Sequence, residues 1–278
     1  MEIGVGLPAM VPGTRPGAIL DWARTAEARG FSSLAVLDRI VYNNYEPLTT
    51  LAVAAGATSR IRLTTTVLLS PTRGTITLAK QAATVHALSG GRLELGLAVG
   101  GRRDDYIVTS TPYRARGRIL DDQIGTLRRT WRGGEIGPAL DTPPRILLGG
   151  HSDAAMRRAA VSADGWISGS GSAEPYADRL TRLRKAWADA GRQDEPRLVS
   201  LAYFAFGING GSLATDYLGG CYAGMGRYAQ RVIDETLLNR QSLVDTIAEH
   251  AEAGCDELIL FPCSPAIGQL DLLSEALA

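Results

Sequence analysis

Apolar strand-like segments alternate with helical segments along the whole chain, and this alternation restricts the fold more than any other feature. The strand-like segments are residues 2–8, 32–38, 61–69, 92–99, 145–148, 165–168, 198–208 and 257–262. The helical segments are residues 17–30, 47–59, 76–88, 116–131, 153–162, 175–190, 215–253 in two pieces separated near Asn239, and 267–276. Repeated strand–helix units imply a parallel sheet.

Eight such units fit a closed barrel better than an open sheet. A (β/α)8 barrel needs ~250 residues, and the chain has 278. Residues 133–144 could be an interdomain linker, but the alternation resumes directly after them. We therefore predict an α/β fold, a TIM barrel that forms a single domain over residues 1–278.

The composition excludes several classes of function. Lys plus Arg and Asp plus Glu both number 29, so the formal net charge of +0 gives no electrostatic basis for nucleic-acid binding. No run of ~18 apolar residues occurs, so no membrane span is expected. The first residues, MEIGVGLPAM, lack the basic start of a secretory signal, which predicts a cytoplasmic protein. The three histidines have no metal-ligand spacing, so no metal site is predicted.

Polar residues and glycines follow the apolar strands, where the C-terminal mouth of a barrel would lie. They are Asp38-Arg39, Thr64-Thr65-Thr66, Gly100-Gly101-Arg102, His151-Ser152, Ser168 and Ser170. Active sites of barrels lie at this end. The sequence therefore predicts a ligand site built from these strand ends.

One of these strand ends, Gly149-Gly150-His151-Ser152, precedes the predicted helix 153–162 and has the features of an anion site. Glycines let the backbone approach a ligand closely. The free N–H groups and the dipole of a helix N-terminus favour a phosphate. The alternative is that Ser152 is only the N-cap of the helix, and the local sequence leaves both interpretations open.

Two other strand ends also have two interpretations each. The threonines 64–66 could pack as β-branched residues or present hydroxyls to a ligand. Gly96, Gly100 and Gly101 could leave a strand end bare for a planar ligand or form a tight corner of the barrel. Their spacing is not G-x-G-x-x-G followed by a helix, so a Rossmann fingerprint is not supported.

Asp38 and Arg39 are the catalytic candidates, because they form a charged pair directly after an apolar strand. Asp38 could orient Arg39, and Arg39 could bind an anionic group of a substrate or cofactor. A purely structural ion pair is the alternative.

Three segments combine into a more specific pattern. They are Leu78 to Thr84 continued by Leu88 to Gly96, Leu148 to Ser152 with Arg157 to Ala160 and Ala163 to Trp166, and Ala253-Gly254-Cys255-Asp256. With these segments the chain resembles, over nearly its whole length, the bacterial luciferase-like monooxygenase family. The resemblance implies a barrel that binds FMN or the deazaflavin coenzyme F-420.

The resemblance also assigns residues to the cofactor. It implies a non-prolyl cis peptide bond at Thr66-Val67 behind the isoalloxazine ring, and a phosphate site at Gly150, His151 and Ser152. Gly100 would lie near the ring and the tail. The predicted cofactor-binding residues are therefore Thr66, Val67, Gly100, Gly149, Gly150, His151 and Ser152.

The resemblance has one departure at the second strand. Bacterial luciferases carry an acidic residue followed by His there, whereas this chain has Asp38-Arg39, so the catalytic His is not carried over. The first expectation is a flavin-dependent monooxygenase that uses O2 and reduced FMN, supplied by a separate flavin reductase, on a small organic substrate. Family members are often dimers, so a homodimer is expected.

Two alternatives stay open for the function. One is an F-420-dependent oxidoreductase that transfers hydride, in which Arg73, Arg102 and Arg103 could bind the acidic tail of the coenzyme. The other is a non-catalytic flavin-binding protein, an alternative that stays open because the catalytic His of the luciferases is missing.

Overall fold

The computed structural model describes residues 1–278 and contains a closed barrel of parallel strands. The strands are β1 (Glu2–Gly6), β2 (Ser33–Val36), β3 (Arg62–Thr65), β4 (Leu68–Leu69), β5 (Leu93–Ala98), β6 (Arg145–Gly149), β7 (Gly165–Ser168), β8 (Arg197–Phe204) and β9 (Glu257–Pro262). Their order is β3-β2-β1-β9-β8-β7-β6-β5-β4, and the pairing of β3 with β5 closes the sheet. Because β3 and β4 are two parts of the third barrel strand, the barrel has eight strands, and the predicted TIM-barrel fold is confirmed.

Eleven α-helices accompany the strands. They are α1 (Ala18–Ala28), α2 (Pro47–Ala57), α3 (Thr75–Leu88), α4 (Arg103–Val108), α5 (Arg116–Gly133), α6 (Asp153–Ser162), α7 (Tyr176–Asp189), α8 (Gly210–Cys221), α9 (Arg227–Asp234), α10 (Arg240–Ala253) and α11 (Gly268–Leu277). The strand predicted over 198–208 ends at Phe204, and the helical stretch predicted from residue 215 begins at Gly210 as three separate helices. The sequence does not predict α4, whose charged start has the composition of a solvated loop. None of these helices combines the length and the hydropathy needed to span a membrane.

Hydrophobic side chains fill two regions of the fold. The larger cluster contains Trp22, Leu51 and Trp166 and lies between the strands and the outer helices. The smaller cluster includes the strand residues Val199 and Ile259 and continues into α8. The core of the barrel is therefore continuous with a helix that follows the seventh barrel strand.

Gly96 in β5 has no room for a side chain. An added Cβ would lie 1.9 Å from the carbonyl oxygen of Thr65 in β3, and Thr65 Oγ1 donates to the Gly96 carbonyl at 2.8 Å. The glycine thus allows the third and fourth barrel strands to approach each other. These contacts favour the tight-corner interpretation of Gly96.

Five charged residues at the N-terminal end of the barrel form what we call the floor network: Glu2, Arg62, Glu94, Arg197 and Glu257. The fully buried Glu257 accepts from Arg197 at 2.7 Å and lies 3.0 Å from Arg62. Glu2 pairs with the same two arginines. Burial raises the pKa of Glu94, and the two arginines act against this shift. The network ties five barrel strands together at the end opposite the mouth.

Glu27 on α1 fixes the turn that leads into β3. Its carboxylate accepts from the backbone N–H groups of Ser59, Arg60 and Ile61 at 2.9, 2.7 and 3.0 Å. Burial acts in the opposite direction, but these three donors lower the pKa of Glu27 to about 2. The charged form is therefore bound more favourably in the folded than in the unfolded chain.

We expect Glu27→Gln to lower the free energy of unfolding by about 1–3 kcal/mol near neutral pH, because charged acceptors bind N–H groups more strongly than amides do. The folded-state pKa is depressed, so this stabilisation is complete above the unfolded value of 4.5 and is lost as the pH falls toward about 2. Denaturant unfolding at neutral and acidic pH should show the gap between wild type and variant closing in acid. The exposed Glu252→Gln is the control, and a gap independent of pH would contradict the assignment.

Candidate functional site

The loop after β6 forms the start of α6 at the C-terminal mouth. Ser152 is the N-cap of this helix, and its hydroxyl accepts from the N–H of Ala155 at 3.2 Å. Gly150 has a φ of 125°, and an added Cβ would lie 2.8 Å from Cβ of Ala155. The cap leaves other first-turn N–H groups without a partner inside the helix. A closely approachable backbone and free N–H groups make this loop able to bind an anion.

The third barrel strand is interrupted at the mouth by a cis peptide bond between Thr66 and Val67, the bond that the resemblance implies. The hydroxyl of Thr66 donates to the carbonyl of Val36 in β2 at 3.2 Å. Its role in this structure is therefore to hold adjacent strands together rather than to face a ligand. Val67 lies next to the end of β6, because an added Cβ at Gly149 would be 3.0 Å from Val67 Cγ1. The cis bond is thus adjacent to the residue from which the Gly149–Ser152 segment starts.

Gly100 lies just beyond β5 at the same end of the barrel. It has a φ of 66°, in the left-handed region that favours glycine. An added Cβ would lie 2.6 Å from Cδ2 of Leu69 in β4. Gly100 therefore packs against the strand segment that follows the cis bond.

Asp38 and Arg39 do not pair with each other, so the prediction that Asp38 orients Arg39 is wrong. Asp38 is buried and accepts from Arg73 at 2.9 Å and from the N–H of Leu69 at 2.8 Å. Burial raises its pKa, and the charge of Arg73 opposes the shift. The contact with Leu69 makes Asp38 a residue that holds the strand segment after the cis bond.

Arg39 turns toward α4 instead. Its guanidinium pairs with the buried Asp105 at 2.9 Å and with Asp104 at 3.3 Å. Asp105 also accepts from the N–H groups of Ile40 and Val41 at 3.0 and 2.8 Å. The positive charge of Arg39 is therefore compensated within the protein, which weakens the expectation that it binds an anionic substrate.

Two arginines also hold the C-terminal end of α8. Arg39 donates to the carbonyl of Cys221 at 3.4 Å, and Arg102 donates to the carbonyl of Ala223 at 2.9 Å. Cations at a helix C-terminus are favoured by the helix dipole. These contacts join α8 to the loops after the second and fourth barrel strands.

The inner side of α8 covers part of the mouth. Tyr217, Leu218 and Cys221 are buried in the same cluster as the barrel-strand residues. Tyr222, which follows the helix, lies 2.7 Å from the hydroxyl of Tyr203 on β8, oxygen to oxygen. Burial raises the pKa of Cys221 to about 11, so it is a neutral thiol near neutral pH. This part of the mouth is consequently covered by packed phenol rings and apolar groups.

Sequence reasoning missed two arginines of α7 beside the loop after β6. Arg182 donates to the carbonyl of His151 at 3.0 Å and pairs with Asp153 at 2.5 Å. Arg179 is buried, and its Nη1 lies 3.2 Å from Nε2 of His151. A spacing of three residues places both side chains on the same helix face. The sequence therefore indicated that Arg179 and Arg182 share a face of α7. It did not indicate that this face is turned toward α6.

Comparisons with known proteins agree with this architecture. The family model described as luciferase-like monooxygenase matches residues 1–252. An uncharacterized protein of Mycobacterium tuberculosis is 31% identical over 224 residues, which cover 68% of this chain and 77% of that protein.

Solved structures are similar over nearly the full length of the chain. An F-420-dependent secondary alcohol dehydrogenase in complex with an F-420–acetone adduct has a TM-score of 0.81 at 15% identity, with 99% of this chain and 97% of that chain covered. The oxygenating constituent of 3,6-diketocamphane monooxygenase of Pseudomonas putida, in complex with FMN, has a TM-score of 0.75 at 16% identity, with 100% and 96% covered. At these identities the likeness shows the fold alone.

The sequence comparisons and the fold together assign the chain to a protein family. The family model spans nine-tenths of the chain, since it reaches residue 252 of 278, and the solved structures share the fold over nearly the whole chain. The chain belongs to the luciferase-like monooxygenase family.

Proposed function

We propose that the protein is a monooxygenase that uses reduced FMN and O2 on a small organic substrate. The observation that carries the proposal is the contact between two parts of the mouth. The anion-binding loop, Gly149 to Ser152, adjoins the cis bond at Thr66-Val67 through the 3.0 Å approach of Val67 to the Cβ position of Gly149. A cofactor with a flat ring and a terminal phosphate matches this arrangement of a bulged strand beside an anion site.

The distribution of arginines favours FMN over F-420. An acidic coenzyme tail needs cations that are not already paired. Arg73, which the F-420 alternative requires, pairs with Asp38 and Glu46 at 2.9 and 2.8 Å. Arg102 pairs with Asp104 at 3.0 Å. Of the three arginines expected for the tail, only Arg103 is exposed and without a carboxylate partner, whereas the single phosphate of FMN needs only the loop after β6.

Reduced FMN, once bound, supplies the two electrons for oxygen activation, and the protein supplies position and environment. Gly149 to Ser152 would hold the phosphate, and the backbone at Thr66-Val67 would support the ring. Asp38 acts as a positioning residue, because it accepts a hydrogen bond from the N–H of Leu69, two residues after the cis bond. The buried tyrosines under α8 would exclude water from that side of the bound ring. The electrons come from a separate flavin reductase.

The test is a binding titration followed by a turnover measurement. We expect fluorescence quenching of FMN and of reduced FMN at micromolar protein, and much weaker binding of F-420. Micromolar binding of F-420 without binding of FMN would overturn the choice of cofactor. Oxygen consumption with reduced FMN should then rise with at least one member of a panel of small organic substrates. Tight FMN binding without such turnover would instead support the non-catalytic flavin-binding protein.

A further inference from the structure

The ring of His151 lies between two groups that can only donate hydrogen bonds. The backbone N–H of Gly169 donates to Nε2 at 3.2 Å, and Nη1 of Arg179 lies 3.2 Å from the same atom. A guanidinium has no acceptor, and neither has a backbone N–H. Nε2 must therefore be the unprotonated nitrogen, so His151 is neutral and carries its proton on Nδ1.

Arg179 is fixed in place by the end of β7. Nη1 also donates to the hydroxyl of Ser168 at 2.6 Å and to the carbonyl of Gly169 at 3.1 Å. The side chain is buried and forms no salt bridge within 4.0 Å. Burial lowers its pKa, and the charges of Glu235, Glu174 and Glu249 oppose that shift from a greater distance. A buried cation without a directly paired carboxylate is costly, and Arg179 lies beside the Gly149–Ser152 loop, where an anion would offset that cost.

The charged groups around His151 keep the ring neutral. Burial, with the positive charges of Arg179 and Arg182, lowers its pKa to about 4. The two nearby carboxylates, Asp153 and Glu174, are both paired with Arg182, at 2.5 Å each. No carboxylate hydrogen-bonds the ring, so none favours the doubly protonated form.

The protein itself leaves the other ring nitrogen unused. Both hydrogen bonds of the ring are made by Nε2, so Nδ1–H has no acceptor within the chain. His151 stands between Gly150 and the N-cap Ser152, directly before the free N–H groups of α6. A neutral donor at this place adds to the backbone donors that face an anion.

We propose that Arg179 is a positioning residue of the phosphate site, which holds His151 as the Nδ1–H tautomer so that the ring donates to the phosphate monoester of the cofactor. This inference rests on the proposed function for the identity of the anion. The tautomer itself follows from the contacts of Nε2 and does not depend on any ligand.

The first measurement is NMR of the histidine ring nitrogens in the ligand-free protein, with His151→Asn to assign the signal. In the wild type we expect the Nδ1–H form, neutral down to about pH 5. Arg179→Met removes a donor and a positive charge, so the pKa of His151 should rise by about one unit or more. In Arg179→Lys, which keeps the positive charge, the pKa of His151 should remain closer to the wild-type value. An unchanged tautomer and titration in Arg179→Met would overturn the inference.

The second measurement compares FMN with riboflavin, which has no phosphate. Arg179→Met should weaken FMN binding roughly tenfold, the effect of one lost hydrogen bond and charge, and leave riboflavin unchanged. Lys185→Met, at an exposed position of the same helix, is the charge-matched control. It should change neither the affinity for FMN nor the affinity for riboflavin. Equal losses for FMN and riboflavin would overturn the phosphate role. If the wild type binds neither FMN nor F-420, the proposed function fails, and the NMR titration alone decides whether Arg179 sets the tautomer.

Discussion

Ser152→Asp is expected to weaken FMN binding by about a hundredfold to a thousandfold. Two like charges ~4 Å apart near a protein surface repel by about 4 kcal/mol, which corresponds to roughly a thousandfold in affinity. Asp is as good an N-cap as Ser, so α6 and the loop before it should keep their structure. Fluorescence quenching by protein gives the affinity directly.

Ser152→Asn is the matched variant for this experiment, because it caps the helix without adding a charge. Its FMN affinity should stay within a few-fold of the wild type, and riboflavin should bind both variants alike. If Ser152→Asp binds FMN as tightly as Ser152→Asn does, the phosphate does not lie at the start of α6.

Glu257→Ala is expected to lower the free energy of unfolding by about 3–5 kcal/mol, because it leaves two arginines of the floor network without their buried partner. Glu257 has 0% exposure and contacts Arg62 and Arg197 at 3.0 and 2.7 Å. Denaturant unfolding measures the change. The folded variant should still bind FMN, since the floor network lies at the end of the barrel opposite the mouth.

Glu275→Ala, at an exposed position of α11, serves as the control and should change stability by less than about 0.5 kcal/mol. Glu257→Gln keeps the shape of the side chain, so its loss in the free energy of unfolding should lie between those of Glu257→Ala and Glu275→Ala. A loss below about 1 kcal/mol in Glu257→Ala would mean that water or neighbouring groups compensate the arginines, contrary to the burial of this site.

The barrel could be predicted from the sequence because its signals are local. Buried parallel strands are continuous apolar runs, and such runs recur at the spacing of βα units along the chain. The loop after β6 was also predictable, since glycines, a capping serine and a helix follow one another directly. The boundaries of α8 to α10 were not, because the breaks depend on how the chain crosses the mouth.

The partners of charged residues could not be predicted, because they are distant in sequence. Asp38 and Arg39 are adjacent, yet successive side chains at a strand end point in opposite directions. Their partners, Arg73 and Asp105, lie 35 and 66 residues away. Arg179 is 28 residues from His151, and nothing in the pattern of α7 distinguishes it from a solvated arginine. The sequence identifies the charged residues, but which of them pair with each other is determined by the fold.

The way in which α8 is held has a consequence for which substitutions this chain can accept. Arg39 and Arg102 bind main-chain carbonyls at Cys221 and Ala223, and every residue has such a carbonyl. Substitutions at Tyr217 or Leu218 therefore alter the wall of the mouth without removing either anchoring hydrogen bond. The inner face of α8 can therefore change in shape and polarity while the helix stays attached to the same two arginines and the barrel beneath it is unaltered.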